Sequence, residues 1–196
     1  MQHDPKNIIL VDPLPRRWTK EEYYRMFELG FFEGERVELI EGEVVRMPSM
    51  ADRHALAITI GTYFWTAAFG RKFTVRVQVP LDFGNSQPEP DFAVIAGTPR
   101  SQKSHPKSAL LVIEIADTTV LLDQTRKANV YAANKVLDYW LLNLVEDRLE
   151  VRREPKKDPL SSTGWSYSST VLLGAKESIA PLALPRKRVK VGNLLP

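Results

Sequence analysis

Apolar and polar residues alternate most cleanly over Phe73-Thr-Val-Arg-Val-Gln-Val79. Phe73, Val75, Val77 and Val79 share one face there, and Arg76 and Gln78 the other. A period of two marks a strand with one side in a core. Two continuous apolar runs follow, Phe92-Ala-Val-Ile95 and Leu110-Leu-Val-Ile-Glu-Ile115, of a length that suits buried strands. The loop before Asp91 is short enough to make the strands on either side of it antiparallel neighbours. Val136 to Leu144 is strongly β-favouring, with Trp140 in the core, and a turn at Glu146-Asp147 leads into Leu149-Glu-Val-Arg152. Glu154 to Gly164 reads as a polar connection, and Trp165 to Leu172 as another strand. Arg36 to Met47 predicts a hairpin turning at Glu41-Gly42, with Val37 and Leu39 on one face and Glu38 and Ile40 on the other.

Helix signals stand between these runs. Thr19-Lys-Glu-Glu22 has the spacing of a capping box, and Gly30 is placed to end the helix it starts. Ser49 and Asp52 are candidate caps for a helix running to about residue 69, before Gly70. Asp123 is the candidate cap of a helix from Gln124 to about Asn134. Residues 1–17, with prolines at 5, 13 and 15, read as an irregular arm.

Composition narrows the function classes. A chain of 196 residues, 43% hydrophobic and 26% charged, suits a single domain over 1–196 with a real core. It has no cysteine, which excludes disulfides, thiolate catalysis and Cys-based zinc sites, and its three histidines are scattered. Ile8-Ile-Leu-Val11 is too short for a signal-peptide core, and no run approaches the roughly 20 apolar residues of a membrane span. The expectation is a cytoplasmic protein without a membrane partner. The net charge of +3 is too slight to announce a nucleic-acid binder, so the distribution of charge matters more.

Candidate chemistry centres on acids at strand ends. Asp91 opens one apolar run and Glu114 nearly closes the next. Carboxylates at the ends of neighbouring strands can share one hard divalent ion, Mg²⁺ or Mn²⁺. Lys127 follows on the next helix, where Asp123, Lys127 and Tyr131 are four apart and share a face. An acidic pair with a lysine suits metal-assisted phosphodiester hydrolysis. The alternative is a buried ion pair to Lys127 or Arg126. Because a helix tolerates alanine, Lys127→Ala is expected to spare the fold.

Other residues carry weaker signals. Glu38 faces either water or the site, and by itself water is the expectation. His54, in the first turn of its helix, reads as a neutral, hydrogen-bonded structural histidine, because the helix dipole disfavours its cation; a phosphate contact is the other reading. The acid-free loop 97–108 carries Arg100, Lys103, His105 and Lys107 into the Glu114 strand, and is either solvated surface or a hold on a phosphate backbone. The tail Arg186-Lys-Arg-Val-Lys190 reads as a solvated face. No internal repeat is present.

From residue 50 to 144 the predicted order is helix, three strands, helix, strand, with Pro90-Asp91 on the second strand and Glu114 on the third. That order resembles the PD-(D/E)xK nuclease superfamily. More narrowly, the chain resembles the "putative restriction endonuclease" family long catalogued as a domain of unknown function. The matching pieces, in order over roughly residues 18–195, begin with Thr19-x-x-Glu22-Tyr23, Glu38-Leu-Ile-x-Gly42-Glu43, His54 and Gln78-Val-Pro80. They continue through Glu89-Pro-Asp91, Leu111-Val-Ile-Glu114-Ile, Asp123-x-x-x-Lys127-x-x-x-Tyr131 and Asp138-Tyr-Trp140.

The resemblance implies an α/β, restriction endonuclease-like core, a central mixed β-sheet flanked by helices. It implies Mg²⁺-dependent cleavage of DNA, with Asp91 and Glu114 as metal ligands and Lys127 and Glu38 beside them. Gln78, Asp123 and Tyr131 are expected to line the site, and Arg100, Lys103, Lys107 and His54 are the candidate DNA contacts. DNA is the expected partner, and a homodimer is an assembly to be tested. The superfamily's acid-x-lysine pattern would put lysine at 116, where this chain has Ala116; Lys127 is the substitute, similar to the arrangement in the narrower family. Two other functions fit the same residues: a catalytically inactive module that holds DNA, and a structural or interaction protein whose acids and Lys127 form a buried ion-pair network.

Overall fold

The structure, a computed structural model, describes residues 14–196. Most of the expected arm, and the apolar Ile8-to-Val11 run, lie outside the described residues; 14–17 are irregular. Six strands form one mixed sheet, in chain order from edge to edge. They are β3 (Phe73–Val77), β4 (Phe92–Ala96), β5 (Leu111–Ala116), β6 (Asp138–Asn143), β7 (Arg148–Lys157) and β8 (Trp165–Gly174). All neighbours are antiparallel except β5 and β6. A parallel pair needs a crossover, and the helix α3 (residues 120–133) supplies it. The predicted α/β mixed sheet flanked by helices is therefore the observed fold, with the expected order of elements between residues 50 and 144.

Two cores cover the two faces of this sheet. Helix α2 (Asp52–Phe69) lays Trp65 and Phe69 against Phe92, Ile113, Ile115 and Trp140. Trp65 and Trp140 meet edge-on with ring centres 5.6 Å apart, a geometry worth about 0.5–1.5 kcal/mol beyond burial. Val189, Val191 and Leu194, from the C-terminal segment, join this core. On the opposite face, α3 packs Ala128 and Tyr131 over Ala93, Val112, Ala116, Tyr139 and Leu141. Strand alternation thus sends Ile113 and Ile115 toward α2, and Val112, Glu114 and Ala116 toward α3.

Helix α1 (Lys20–Glu28) begins with the expected capping box: Thr19 Oγ1 accepts from Glu22 N–H, and the Glu22 carboxylate accepts from Thr19 N–H. The hairpin β1 (Val37–Ile40) and β2 (Glu43–Arg46) turns at Glu41-Gly42, both with positive φ, as a tight two-residue hairpin requires. The loop before β4 is tied to both. Gln87 N–H donates to Leu39 O at 2.6 Å, Ser86 Oγ accepts from Glu41 N–H, and Lys20 Nζ sits 3.0 Å from Asp82.

Several boundaries differ from expectation. Neither Ser49 nor Asp52 caps α2; Ala51 occupies the cap without a side-chain bond, and Asp52 is the first helical residue. Asp123 is no cap either. Helix α3 starts at Val120, and residues Asp123–Lys127 form a wider π turn inside it. Strand β7 continues through Glu154 to Lys157, although the composition there reads as loop, because Pro155, Lys156 and Lys157 pair with Tyr167, Ser166 and Trp165.

A Cβ at Gly61 of α2 would lie 2.6 Å from the ring of buried Phe92. Gly61→Ala is therefore expected to destabilise the fold, because overpacking at about 1–3 kcal/mol outweighs a helix-propensity gain of at most ~1 kcal/mol. A lowered thermal midpoint checks this. Partial burial acts to raise the Asp82 pKa, but hydrogen bonds from Gln87, Lys20 and Gly84 N–H bring it down from 3.8 to about 2. A depressed folded-state pKa stabilises above the unfolded value and is lost as pH falls toward the folded one. The stability difference between parent and Asp82→Asn in urea titrations is thus expected to be full above pH 3.8 and to close toward pH 2.

Candidate active site

The site is built where the start of β4 meets the end of β5. Phe92 pairs with Ile113, which sets Asp91 beside Glu114. Asp91 N–H approaches Glu114 Oε2 at 3.3 Å, and Ile115 N–H donates to Asp91 Oδ2 at 2.8 Å. Asp91 Oδ1 accepts from Gln78 Nε2 and contacts His54 Nε2, each at 3.1 Å. Gln78 reaches it because β3 ends at Val77 and Gln78 takes a positive φ of 50°, uncommon for a residue with a side chain.

Helix α3 closes the site from the other side. Lys127 Nζ lies 2.9 Å from Glu114 Oε1, 3.2 Å from Glu38 Oε2 and 3.7 Å from Asp123 Oδ1. The Tyr131 hydroxyl donates to Glu114 Oε1 at 2.5 Å, and Thr119 Oγ1 to Asp123 Oδ2 at 2.6 Å. Glu38, Asp91, Glu114, Asp123, Lys127 and Tyr131 are all buried. The π turn bears Asp123 and Lys127 at its two ends; its carbonyls at Asp123 and Gln124 accept from the Tyr139 hydroxyl and from Arg152. Such turns often sit at functional sites.

Charge is the dominant feature. Burial would strip Lys127 of its proton, but Glu114, Glu38 and Asp123 together hold its pKa well above the ordinary lysine value, so it remains a cation. Burial pushes the Glu114 carboxyl up to about 8 and Asp123 to about 6, with Lys127 opposing in both. One ammonium thus faces three acids, with Asp91 a fourth in the same pocket. Glu38 Oε2 lies at ion-pair distance from Lys127 yet receives no hydrogen bond among the described residues. The cavity at the floor of this pocket measures about 30 Å³, roughly one water's share of the liquid, so it suits water or a small ion rather than an organic cofactor. Oxygen donors with unfilled acceptor capacity and an excess of negative charge fit a hard divalent cation. Among the described residues no group of three or more His, Asp or Glu side chains is already arranged as a metal cage.

The residues 20–186 match the sequence pattern of Uma2, a protein family described as "Putative restriction endonuclease". The chain belongs to the Uma2 family. No curated protein matches it. Among solved structures it is similar to the crystal structure of a "putative nuclease" from Anabaena variabilis. The two share 15% identity at a TM-score of 0.63, over 90% of this chain and 96% of the other.

Within this Uma2 chain, Asp91, Glu114, Lys127, Glu38, Gln78, His54, Asp123 and Tyr131 come together, and four expectations change. Glu38 faces inward to Lys127, not water: β1 is buried on both faces, so alternation there does not separate inside from outside. Burial lowers the His54 pKa, but Asp91 and Asp117 outweigh it and raise it overall; the helix dipole does not decide, and the ring is held by Asp91 rather than free for phosphate. Arg126 pairs with Glu41 and Glu43 instead of the site acids. The loop bearing Arg100, Lys103 and Lys107 joins the ends of β4 and β5 remote from Asp91 and Glu114, so it is not part of this pocket.

Sequence reasoning missed Arg36, Glu89, Asp117 and Thr119, which also line the pocket. Glu89 and Asp117 lie within three residues of the flagged acids, a proximity that could have marked them; Arg36 carried no such signal. The burial of Lys127 also overturns its expected tolerance to alanine. Lys127→Ala, or the longer apolar Lys127→Met, is expected to cost about 3–5 kcal/mol by leaving buried carboxylates without their cation. Urea denaturation measures it, and the deficit should shrink as pH falls and the acids gain protons.

Proposed function

We propose that this protein is a metal-dependent endonuclease that hydrolyses DNA phosphodiester bonds. The observation that carries it is the meeting of Asp91 and Glu114 at paired strand ends, with the Lys127 ammonium 2.9 Å from Glu114 in the same pocket. The family description and the similarity to a "putative nuclease" support the same reading.

Asp91 and Glu114 would hold one Mg²⁺ or Mn²⁺, with Glu38 in reach of the same space. When bound, that ion supplies positive charge against the phosphoryl oxygens as negative charge builds in the transition state. Gln78 and His54 fix the Asp91 carboxylate through Oδ1, and Tyr131 fixes Glu114 through Oε1. Lys127 keeps its proton, so it acts as a donor that orients the attacking water rather than as a base. Glu38 Oε2, which receives no hydrogen bond among the described residues, is the acceptor for that water's proton. The water oxygen bonds to phosphorus, the bond to the leaving oxygen breaks, and a proton is returned to that oxygen.

One observation favours a second reading. Lys127 is buried among three carboxylates, an arrangement that also suits a purely structural ion-pair network. Plasmid and oligonucleotide DNA incubated with Mg²⁺, Mn²⁺ or EDTA separates the readings. Cleavage is expected with either ion and none in EDTA. Asp91→Ala is expected to lose both cleavage and the rise in melting temperature that Mn²⁺ gives the parent. Glu38→Gln keeps the shape of the side chain and is expected to slow cutting by roughly 10²-fold or more, the usual worth of a positioned base. DNA bound but uncut by the parent would favour an inactive DNA-holding module; no cleavage, metal binding or DNA binding would favour the structural network.

A further inference from the structure

The pocket that holds Asp91 and Glu114 shares its rim with a larger groove of about 430 Å³ lined by residues 34–36, the segment 46–50, Gln78 and Glu89. Arg36 and Glu89 line both. A polyanion approaching this mouth meets Glu38, Glu89, Asp91, Glu114 and Asp117, and so needs a cation whose charge is still available.

The neighbouring cations are already engaged. Lys127 is buried among three carboxylates. Arg126 is taken by Glu41 and Glu43 and Arg53 by Asp147 and the Leu144 carbonyl, while Arg46, 76% exposed, makes a surface pair with Glu35. Arg36 differs from all of these. It is half-buried, and among the described residues its guanidinium makes no hydrogen bond and no ion pair, although Glu89 and Glu38 line the same pocket. Its backbone carbonyl accepts from Met47 N–H, which pins its position at the base of the hairpin without using the side chain. A guanidinium fixed at its root and unengaged at its tip presents a planar fork that matches a phosphate diester.

We infer that Arg36 is a phosphate-anchoring residue, which holds a single phosphodiester of the substrate strand where the groove meets the carboxylate pocket. This rests on the nuclease reading of that pocket. It is a positioning role: Arg36 sets the strand so that the adjoining phosphate reaches Asp91 and Glu114, while the acids and Lys127 act on the bond itself. It also accounts for how a pocket rich in carboxylates accepts a polyanion at all.

Fluorescence anisotropy with a labelled DNA oligonucleotide, in EDTA over a range of salt, tests the role without cleavage. Arg36→Ala is expected to weaken binding roughly tenfold and to reduce the log–log salt slope by about one phosphate's share, ~0.7–0.9. Arg36→Lys should recover the slope but only part of the affinity, because lysine keeps the charge and loses the fork. Neutral methylphosphonates placed one at a time along the strand locate the contact. The parent should lose affinity at one position, to which Arg36→Ala is indifferent. Thermal melts show whether each variant is folded, and the side chain has no hydrogen bond to lose. A folded Arg36→Ala that binds with the parent's affinity and slope, or that stays sensitive at the same methylphosphonate, overturns the inference while the nuclease reading stands. A parent that binds no DNA overturns both. A parent that binds DNA and loses one phosphate contact in Arg36→Ala, yet never cuts with Mg²⁺ or Mn²⁺, upholds Arg36 and overturns the hydrolytic reading alone.

Discussion

One ammonium group ties three separate parts of the chain together. Lys127 Nζ gathers Glu38 from the hairpin, Glu114 from the middle of the sheet and Asp123 from its own helix. All four are buried, so none can be removed from this arrangement without leaving charge out of water. Hairpin, sheet and α3 are therefore held in fixed relation by electrostatics as well as by apolar contact. The cluster is also unbalanced: Asp91 adds a fourth acid near a single lysine. Excess negative charge kept in a pocket large enough for a water or a small ion is a poor way to stabilise a core and a good way to prepare a cation site.

The sheet supplies the precision. Asp91 and Glu114 come from different strands, but the β4–β5 register fixes their backbones, and each carboxylate is further engaged by the other strand's N–H. Alternation then turns Glu114 toward α3, where Tyr131 and Lys127 wait on the same helical face. Three irregularities lie at this end of the sheet: the positive φ of Gln78, the π turn of α3 and, among the described residues, the unhydrogen-bonded Glu38 oxygen. At these points local departures from regular geometry accompany the site, and the regular strands and α2 carry the packing.

The basic residues around the pocket are engaged in different ways. Lys127 is committed to the acids inside it. The Arg36 guanidinium, at its mouth, makes no hydrogen bond or ion pair among the described residues. Arg126, equally basic in sequence, serves only to clasp the hairpin through Glu41, Glu43 and the Ile40 carbonyl. Side chains of like charge thus end in three different settings, decided by which carboxylates lie within reach.

Much of this was written in the chain itself. Periodicity and short apolar runs located the strands, the capping box located α1, and Glu41-Gly42 located the hairpin turn, because each depends on near neighbours in sequence. The i, i+4 spacing of Asp123, Lys127 and Tyr131 put them on one face for the same reason. Asp91 and Glu114 stood out because an acid beside an apolar run is costly unless it has a partner. Tertiary structure decided what local pattern could not. It turned Glu38 inward, since both faces of its strand are covered. It gave His54 to Asp91, whose carboxylate outweighs the helix dipole. It sent the basic loop at 97–108 to the far ends of β4 and β5, and it left Arg36 alone among the arginines of this region without a partner in the described residues. Each of these depends on a charge or a contact many positions away, and electrostatic partners distant in sequence leave no periodic trace in it.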